Sequence, residues 1–401
     1  MKIAYIGLKD LVGHKFNGMD LCREMRIRGE DARFYVLFKE SKEPWIKQIC
    51  GPIGLFIIKL LHKVEYFIGL QNILSPILLF LISYKHIREC DIIHLQMVQS
   101  NYFSILMIKY LAKGRKIFWT LHDPWALTGH CLHPAVTNCD RWRIGCGKCP
   151  NLRTQFSIPF DTTKLLHCLK RINFNNDKIN IIVASNYMKV MVNESQMFKK
   201  GVIHKIAFGI DRRKFYRRKR EDSRSKFGIN LDSFVIFFRA EKSEFKGLET
   251  IRSALRIITG LGITLVTVNE KGLLNEFRNK FKIIDLGWVE NDDMLAEIYS
   301  ASDLFIMPSR AESFGMMAIE AMACGTIVAV SNNTALSETV DYGRAGILID
   351  NGDAARLAME IEKLKRSSEY AKTFIESASK LVEKRYNLKK HYDAIYKCYQ
   401  D

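Results

Sequence analysis

DLFIMPSRAESFGMMAIEAMACGTIVAV, residues 303–330, spells out a strand, a turn, a helix and a second strand in one run. DLFIM (303–307) and TIVAV (326–330) are short continuous apolar runs, the pattern of strands buried on both faces. Between them, residues 315–324 read as a helix opening at Gly315 and rich in small residues. A strand, a crossover helix and a further buried strand make a βαβ unit, which places the segment in a parallel, doubly wound sheet. Glu312 lies in the turn beyond the carboxyl end of the first strand, and Glu320 lies on the helix. In open α/β sheets ligands bind at that edge. Backbone N–H groups at the start of the helix, around Ser313, Phe314 and Gly315, suit a phosphate.

The same alternation extends to both sides. Strands are predicted at 234–238 (FVIFF), 263–268 (ITLVTV) and 282–286 (KIIDL), with helices from about 247 and near 292–300. Towards the amino terminus, KIAYIG (2–7) reads as a first buried strand rather than a signal peptide. A loop containing Gly13 and Gly18 follows it, then a helix from about Met19. Further strands are predicted at 33–38, 91–96, 116–121, 181–184 and 202–206, with Ser185 placed to cap a helix. RRKFYRRKREDSRSK (212–226) separates the two series, as a linker or as the first surface element of a second domain. The chain therefore reads as two α/β domains, 1–206 and 207–385. LKKHYDAIYKCYQ (388–400) is helical in period.

A chain of 401 residues with 48% hydrophobic and 26% charged residues has the composition of a soluble globular protein and the length for two cores. The net charge of +18 suggests an anionic partner, a phosphorylated substrate or a membrane surface, or else a solvated basic surface. Nucleic acid fits poorly, because the basic residues are spread out and no nucleic-acid-binding motif accompanies them. Residues 51–82 are unusually apolar, but Lys59, His62, Lys63, Glu65 and Pro76 interrupt them below the roughly 20 residues of a spanning helix. They read either as buried helices of the first domain or as an interfacial helix lying on a membrane.

Ten cysteines without a signal peptide imply reduced thiols. Four of them, Cys131, Cys139, Cys146 and Cys149, crowd one short loop. They fit structural zinc, with His130 or His133 as a substitute ligand, or else two disulfides or four free thiols.

The 308–325 segment resembles the E-x7-E signature of family 4 glycosyltransferases. That resemblance implies a GT-B fold: two facing Rossmann-like domains with the active site in the cleft and a C-terminal helix (386–401) crossing back to the first. It implies that Glu312 contacts the donor sugar and Glu320 the ribose of a nucleotide-sugar. Arg239, after FVIFF, and Lys246, before Gly247, match the family's pair that neutralises the leaving diphosphate. His122 in TLHDPWALTGHC (120–131) matches a histidine that touches the donor sugar, and the loop of Gly13 and Gly18 is expected to approach the donor phosphates. Phe208 departs from the family, which usually has Asn there.

His122 through CDRWRIGCGKCP (139–150) further resembles the colanic-acid-type enzymes of bacterial exopolysaccharide synthesis. The implied activity is retaining sugar transfer to a glycan or lipid-linked acceptor, with no catalytic metal, at the inner face of the plasma membrane. Two rival readings are a nucleotide-sugar epimerase and a non-catalytic basic binding protein on the same scaffold.

Overall fold

A computed structural model describes all residues except Asn101 and Gly260. The chain forms two compact units: Met1–Ile206 with Tyr392–Asp401, and Ala207–His391. The first holds a seven-stranded sheet built from β1 (Lys2–Lys9), β2 (Asp31–Phe38), β3 (Ile46–Gln48), β4 (Ile92–Leu95), β5 (Lys116–Leu121), β6 (Ile179–Val183) and β7 (Ile203–Lys205). Its order is β3-β2-β1-β4-β5-β6-β7, and every pairing is parallel. The second holds six parallel strands: β8 (Phe234–Ala240), β9 (Ile263–Asn269), β10 (Lys282–Asp285), β11 (Leu304–Met307), β12 (Ile327–Ser331) and β13 (Ile347–Ile349). Their order is β10-β9-β8-β11-β12-β13. Each is a Rossmann-like sheet whose strand order reverses once, between β1 and β4 and between β8 and β11. Those reversals are where an open α/β sheet leaves a crevice at its carboxyl edge.

The apolar runs behave as two-sided burial requires: Ile3 to Ile6, Ile236 to Phe238 and Leu304 to Ile306 are all buried. Ser185 caps the helix Asn186–Glu194 by accepting from the Met188 N–H at 3.2 Å. Two strands escape the sequence reading, β3 and β13. Each has three residues, too few to show a period, and both lie at sheet edges.

The basic stretch 212–226 belongs inside the second unit. Its helix Arg220–Lys226 buries Arg224 completely, and the guanidinium donates to Asp303 (2.8 Å) and to the Ala301 and Asn230 carbonyls. Arg218 and Lys226 both pair with Glu297, holding its carboxyl down to about 2 against the opposing cost of its burial. Part of the basic charge is thus spent on docking a helix, since a buried cation persists only when it is paired.

Segment 51–82 is neither wholly core nor wholly surface. The helix Pro52–Phe67 turns Gly54, Ile58 and Glu65 inward. Its other side presents Ile53 (77% exposed), Phe56 (66%), Leu60, Val64 and Phe67 (71%), the i, i+3, i+4 spacing of one helical stripe. The next helix, Ile77–Ser83, buries Ile77 and Leu81 and exposes Leu79 and Ile82. No helix among the described residues is long and apolar enough to cross a membrane.

Candidate functional site at the carboxyl edges of the two sheets

In the second unit the loops after β8 and β11 flank the strand-order reversal. Two backbone contacts join them. The Arg310 N–H donates to the Phe245 carbonyl at 2.7 Å, and Gly247 lies so close to Pro308 that a Cβ would stand 2.0 Å from its carbonyl oxygen. Gly247 also has φ +73°, a left-handed conformation that L side chains resist. This stitch brings the preceding residue, Lys246, onto the β11 loop, where its ammonium meets Glu312 Oε2 at 3.2 Å. Both side chains keep some solvent access, 25% and 19%. Arg239, near the end of β8, pairs with Glu241 at 3.0 Å and lies 5.9 Å from the ring of Trp288, a largely exposed tryptophan just beyond β10. Two cations and a carboxylate therefore share one sheet edge.

Glu320 differs from Glu312. It is buried on the helix Met316–Ala323 and accepts from the Tyr299 hydroxyl at 3.2 Å; burial and the nearby carboxylate hold that phenol well above its usual range. Phe314 is held by its side chain. Its ring packs edge-on against Phe208 (5.2 Å between centroids) and Tyr386 (5.8 Å), which leaves its backbone for a ligand. Phe208, which departed from the family pattern, is the packing partner that takes this ring up. Ser313 is buried between Glu312 and Phe314, and Gly315 caps the helix in a left-handed conformation.

In the first unit, Gly13 and Gly18 lie in the loop after β1. Asn17, which carries no motif, organises that loop by donating its amide to the carbonyls of Lys9, Asp10 and Val12. His122 follows β5 and bonds through Nε2 to Gln96 Oε1 at 2.8 Å, and burial lowers its pKa to about 4. Asp123 serves local structure instead. It caps the short helix Pro124–Leu127 through the Trp125 N–H and accepts from Gln99, and burial raises its carboxyl to about 6.

The fold draws the cysteine loop together. Cys131, Cys139, Cys146 and Cys149 do converge with His130 around a cavity of about 10 Å³, but all four are free thiols. Among the described residues no three His, Cys, Asp or Glu side chains are grouped so as to hold a metal ion. Cys146 Sγ instead accepts from the Gly129 N–H at 3.1 Å, and Cys149 Sγ lies 3.5 Å from His130 Nε2. Burial, reinforced by the neighbouring thiols, pushes Cys131 up to about 12 and Cys146 to about 11.

Residues 219–381 match the family model of glycosyl transferases group 1. The chain is 31% identical over 179 residues to D-inositol 3-phosphate glycosyltransferase 1 of Catenulispora acidiphila, covering 40% of this chain and 43% of that protein. It is 25% identical over 282 residues to an uncharacterized glycosyltransferase of Methanocaldococcus jannaschii, covering 67% and 70%. The matches span about two fifths of the length of the first curated relatives, 41% and 43%. Among solved structures, Anabaena HepE in complex with UDP-glucose superimposes with a TM-score of 0.69 at 17% identity, over 100% of this chain and 99% of that one. Sucrose-phosphate synthase from Thermosynechococcus elongatus gives 0.68 at 17% identity, over 99% and 98%. At such identities the likeness is one of fold: two Rossmann-like domains.

Proposed function

We propose that the protein is a retaining glycosyltransferase of the family 4 type, moving a sugar from a nucleotide-sugar to an acceptor hydroxyl. The Lys246–Glu312 pair, on the same sheet edge as Arg239, carries this reading. As the bond from the anomeric carbon to the donor phosphate breaks, negative charge grows on the leaving diphosphate, and Lys246 and Arg239 offset it. The acceptor oxygen bonds to the anomeric carbon from the face the phosphate leaves, and its proton passes to a phosphate oxygen. Configuration is retained and no protein nucleophile is required. Glu312 takes a hydroxyl of the donor sugar and Glu320 the ribose. His122 offers its imidazole to the sugar, and the backbone around Gly13 and Gly18 meets the phosphates. The family match over 219–381 and the UDP-glucose bound by the structural neighbour support a nucleotide-sugar donor.

A nucleoside diphosphate binding only the folded protein raises the melting temperature. UDP is expected to raise it by roughly 3 °C or more at saturating concentration, and Glu320→Ala to remove most of that gain. A screen of nucleoside diphosphates in which none shifts the melting temperature would sink the donor assignment.

The acceptor is proposed to be a lipid-linked or growing exopolysaccharide, met at the inner face of the plasma membrane. The outward stripe of Pro52–Phe67 and Ile77–Ser83 supports this, because exposed apolar patches of that size mark contact surfaces. Its exposed charges, Lys59 and Lys63, are positive. Glu65 is the only carboxylate between Glu43 and Glu89, and it is buried, accepting from the N–H groups of Asn72, Ile73 and Leu74. An apolar and basic face without exposed acids suits an anionic bilayer, each Lys adding about 1 kcal/mol. In liposome flotation the protein is expected to rise with anionic but not neutral vesicles, and less so in high salt or as Lys59→Glu plus Lys63→Glu. Protein left in solution with anionic vesicles at low salt would refute this surface role.

A further inference from the structure

A buried hydrogen-bonded chain runs from the C-terminal helix to His122. His94 on β4 and Thr120 on β5 each stand two residues before the next member, Gln96 and His122, so strand alternation puts each pair on one face. Tyr399, on the helix Leu388–Gln400, covers that face. Its hydroxyl bonds to His94 Nδ1 and lies 3.0 Å from the Tyr5 hydroxyl. His94 Nε2 is 2.7 Å from Thr120 Oγ1 and 3.1 Å from Gln96 Nε2. Gln96 Oε1 is 2.8 Å from His122 Nε2. Gln96 is itself packed against Gly18, where a side chain would come within 2.7 Å of its Cγ.

We propose that the Tyr399 hydroxyl fixes the tautomer of His122 through His94 and Gln96, which makes Tyr399 a positioning residue remote from the substrate. A carboxamide accepts at one end and donates at the other. Its oxygen faces His122, so His122 carries its proton on Nε2. Its NH2 group faces His94 Nε2, which is therefore a lone pair, and the proton of His94 sits on Nδ1, donated to Tyr399. The Thr120 hydroxyl can donate or accept and adapts to either state. Reversing any one member reverses the rest: a proton on His94 Nε2 turns the amide over, and the amide then presents NH2 to His122 Nε2, moving that proton to Nδ1. Tyr399→Phe removes the acceptor that Tyr399 gives His94 Nδ1–H. A buried donor that loses its acceptor is the costlier orphan, so the chain reverses. In the wild type Nδ1 of His122 then carries the lone pair, the polarity that a sugar hydroxyl meeting this ring would encounter. That consequence rests on the proposed role of His122 in donor binding; the tautomer itself does not.

Two-bond proton–nitrogen correlation spectra of 15N-histidine-labelled protein at pH 7.5, without substrate, read the tautomers directly. Expected for the wild type is Nε2–H at His122 and Nδ1–H at His94. Tyr399→Phe keeps the ring and its edge contact with Phe118, and should invert His122 to Nδ1–H. Gln96→Glu supplies a group that accepts at both ends, so it should leave His122 at Nε2–H while moving His94 to Nε2–H. These opposite outcomes keep the test valid if one variant folds poorly. An Nδ1–H tautomer at His122 in the wild type, or an unchanged His122 in Tyr399→Phe, overturns the proposal. In transfer assays Tyr399→Phe should raise the donor KM about three- to tenfold with kcat little changed. A protein with no transferase activity would still give the spectra, so failure of the function and failure of the relay are separable.

Discussion

Lys246→Ala is expected to lower kcat/KM for sugar transfer by a factor on the order of 1,000 or more while the protein stays folded. Removing one preorganised charge stabiliser commonly costs 100- to 1,000-fold, and a full positive charge at a leaving diphosphate lies at the upper end. The effect on stability should be small. Lys246 and Glu312 both touch solvent, and partly exposed ion pairs contribute about 0–1 kcal/mol. Glu312→Ala should lose transfer comparably, for a different reason: it removes the sugar contact and frees Lys246 to swing. Glu312→Gln keeps the shape and a hydrogen bond but not the charge, so it should retain more activity than Ala. Steady-state transfer to an acceptor glycan, read beside thermal melting of each variant, checks all three. Full turnover in Lys246→Ala would sink the site assignment, even if a nucleoside diphosphate still raised the melting temperature.

What was legible in the sequence follows from the physics of the parallel sheet. A strand buried on both faces must be apolar throughout, so FVIFF, ITLVTV and DLFIM announce themselves without their neighbours. The carboxyl ends of FVIFF and DLFIM then locate Arg239, Lys246 and Glu312 at the edge of the second sheet, and that of KIFWTL locates His122 at the edge of the first. Residues whose role depends on distant partners left no local mark. Tyr399 bonds to His94 across 305 positions of sequence, and in LKKHYDAIYKCYQ it is one of three tyrosines with nothing to distinguish it. Lys170 is a sharper case. Nothing in TKLLHCLKRINF (163–174) singles this lysine out. Yet Lys170 is buried, donating to the Trp125 and Thr128 carbonyls with its ammonium 3.5 Å from the Trp125 ring centre, and burial lowers its pKa to about 7.

The cysteine loop shows how far spacing alone reaches. C-x2-C spacing brings two sulfurs near each other whatever their purpose. Cys131 and Cys139 come within reach only through the short helices at 124–127 and 134–137. The result is a small thiol-lined cavity whose members bond to a backbone N–H and an imidazole. Spacing by itself does not distinguish that arrangement from a ligand set.

Gly247→Ala tests the scaffold under the site and should have the second large effect. The substitution adds one methyl group and changes no charge, so a loss of activity cannot be assigned to altered electrostatics. An alanine there must adopt φ +73°, costing roughly 1–2 kcal/mol. Its Cβ must also clear the Pro308 carbonyl, now 2.0 Å from that position. A backbone oxygen cannot rotate away as a side chain could, so the β8 and β11 loops must separate, at about 1–3 kcal/mol more for overpacking. Separation should break the Arg310 to Phe245 bond and pull Lys246 away from Glu312, because both depend on the same approach. The expected result is a second unit destabilised by roughly 2–5 kcal/mol, with transfer lost beyond what unfolding explains at temperatures where the variant is still native. Denaturant titration gives the first quantity, and activity per folded molecule at 10 °C gives the second. A variant as stable and as active as the wild type would mean that the two loops meet differently, and that the lysine–glutamate pair is not set by the glycine between them.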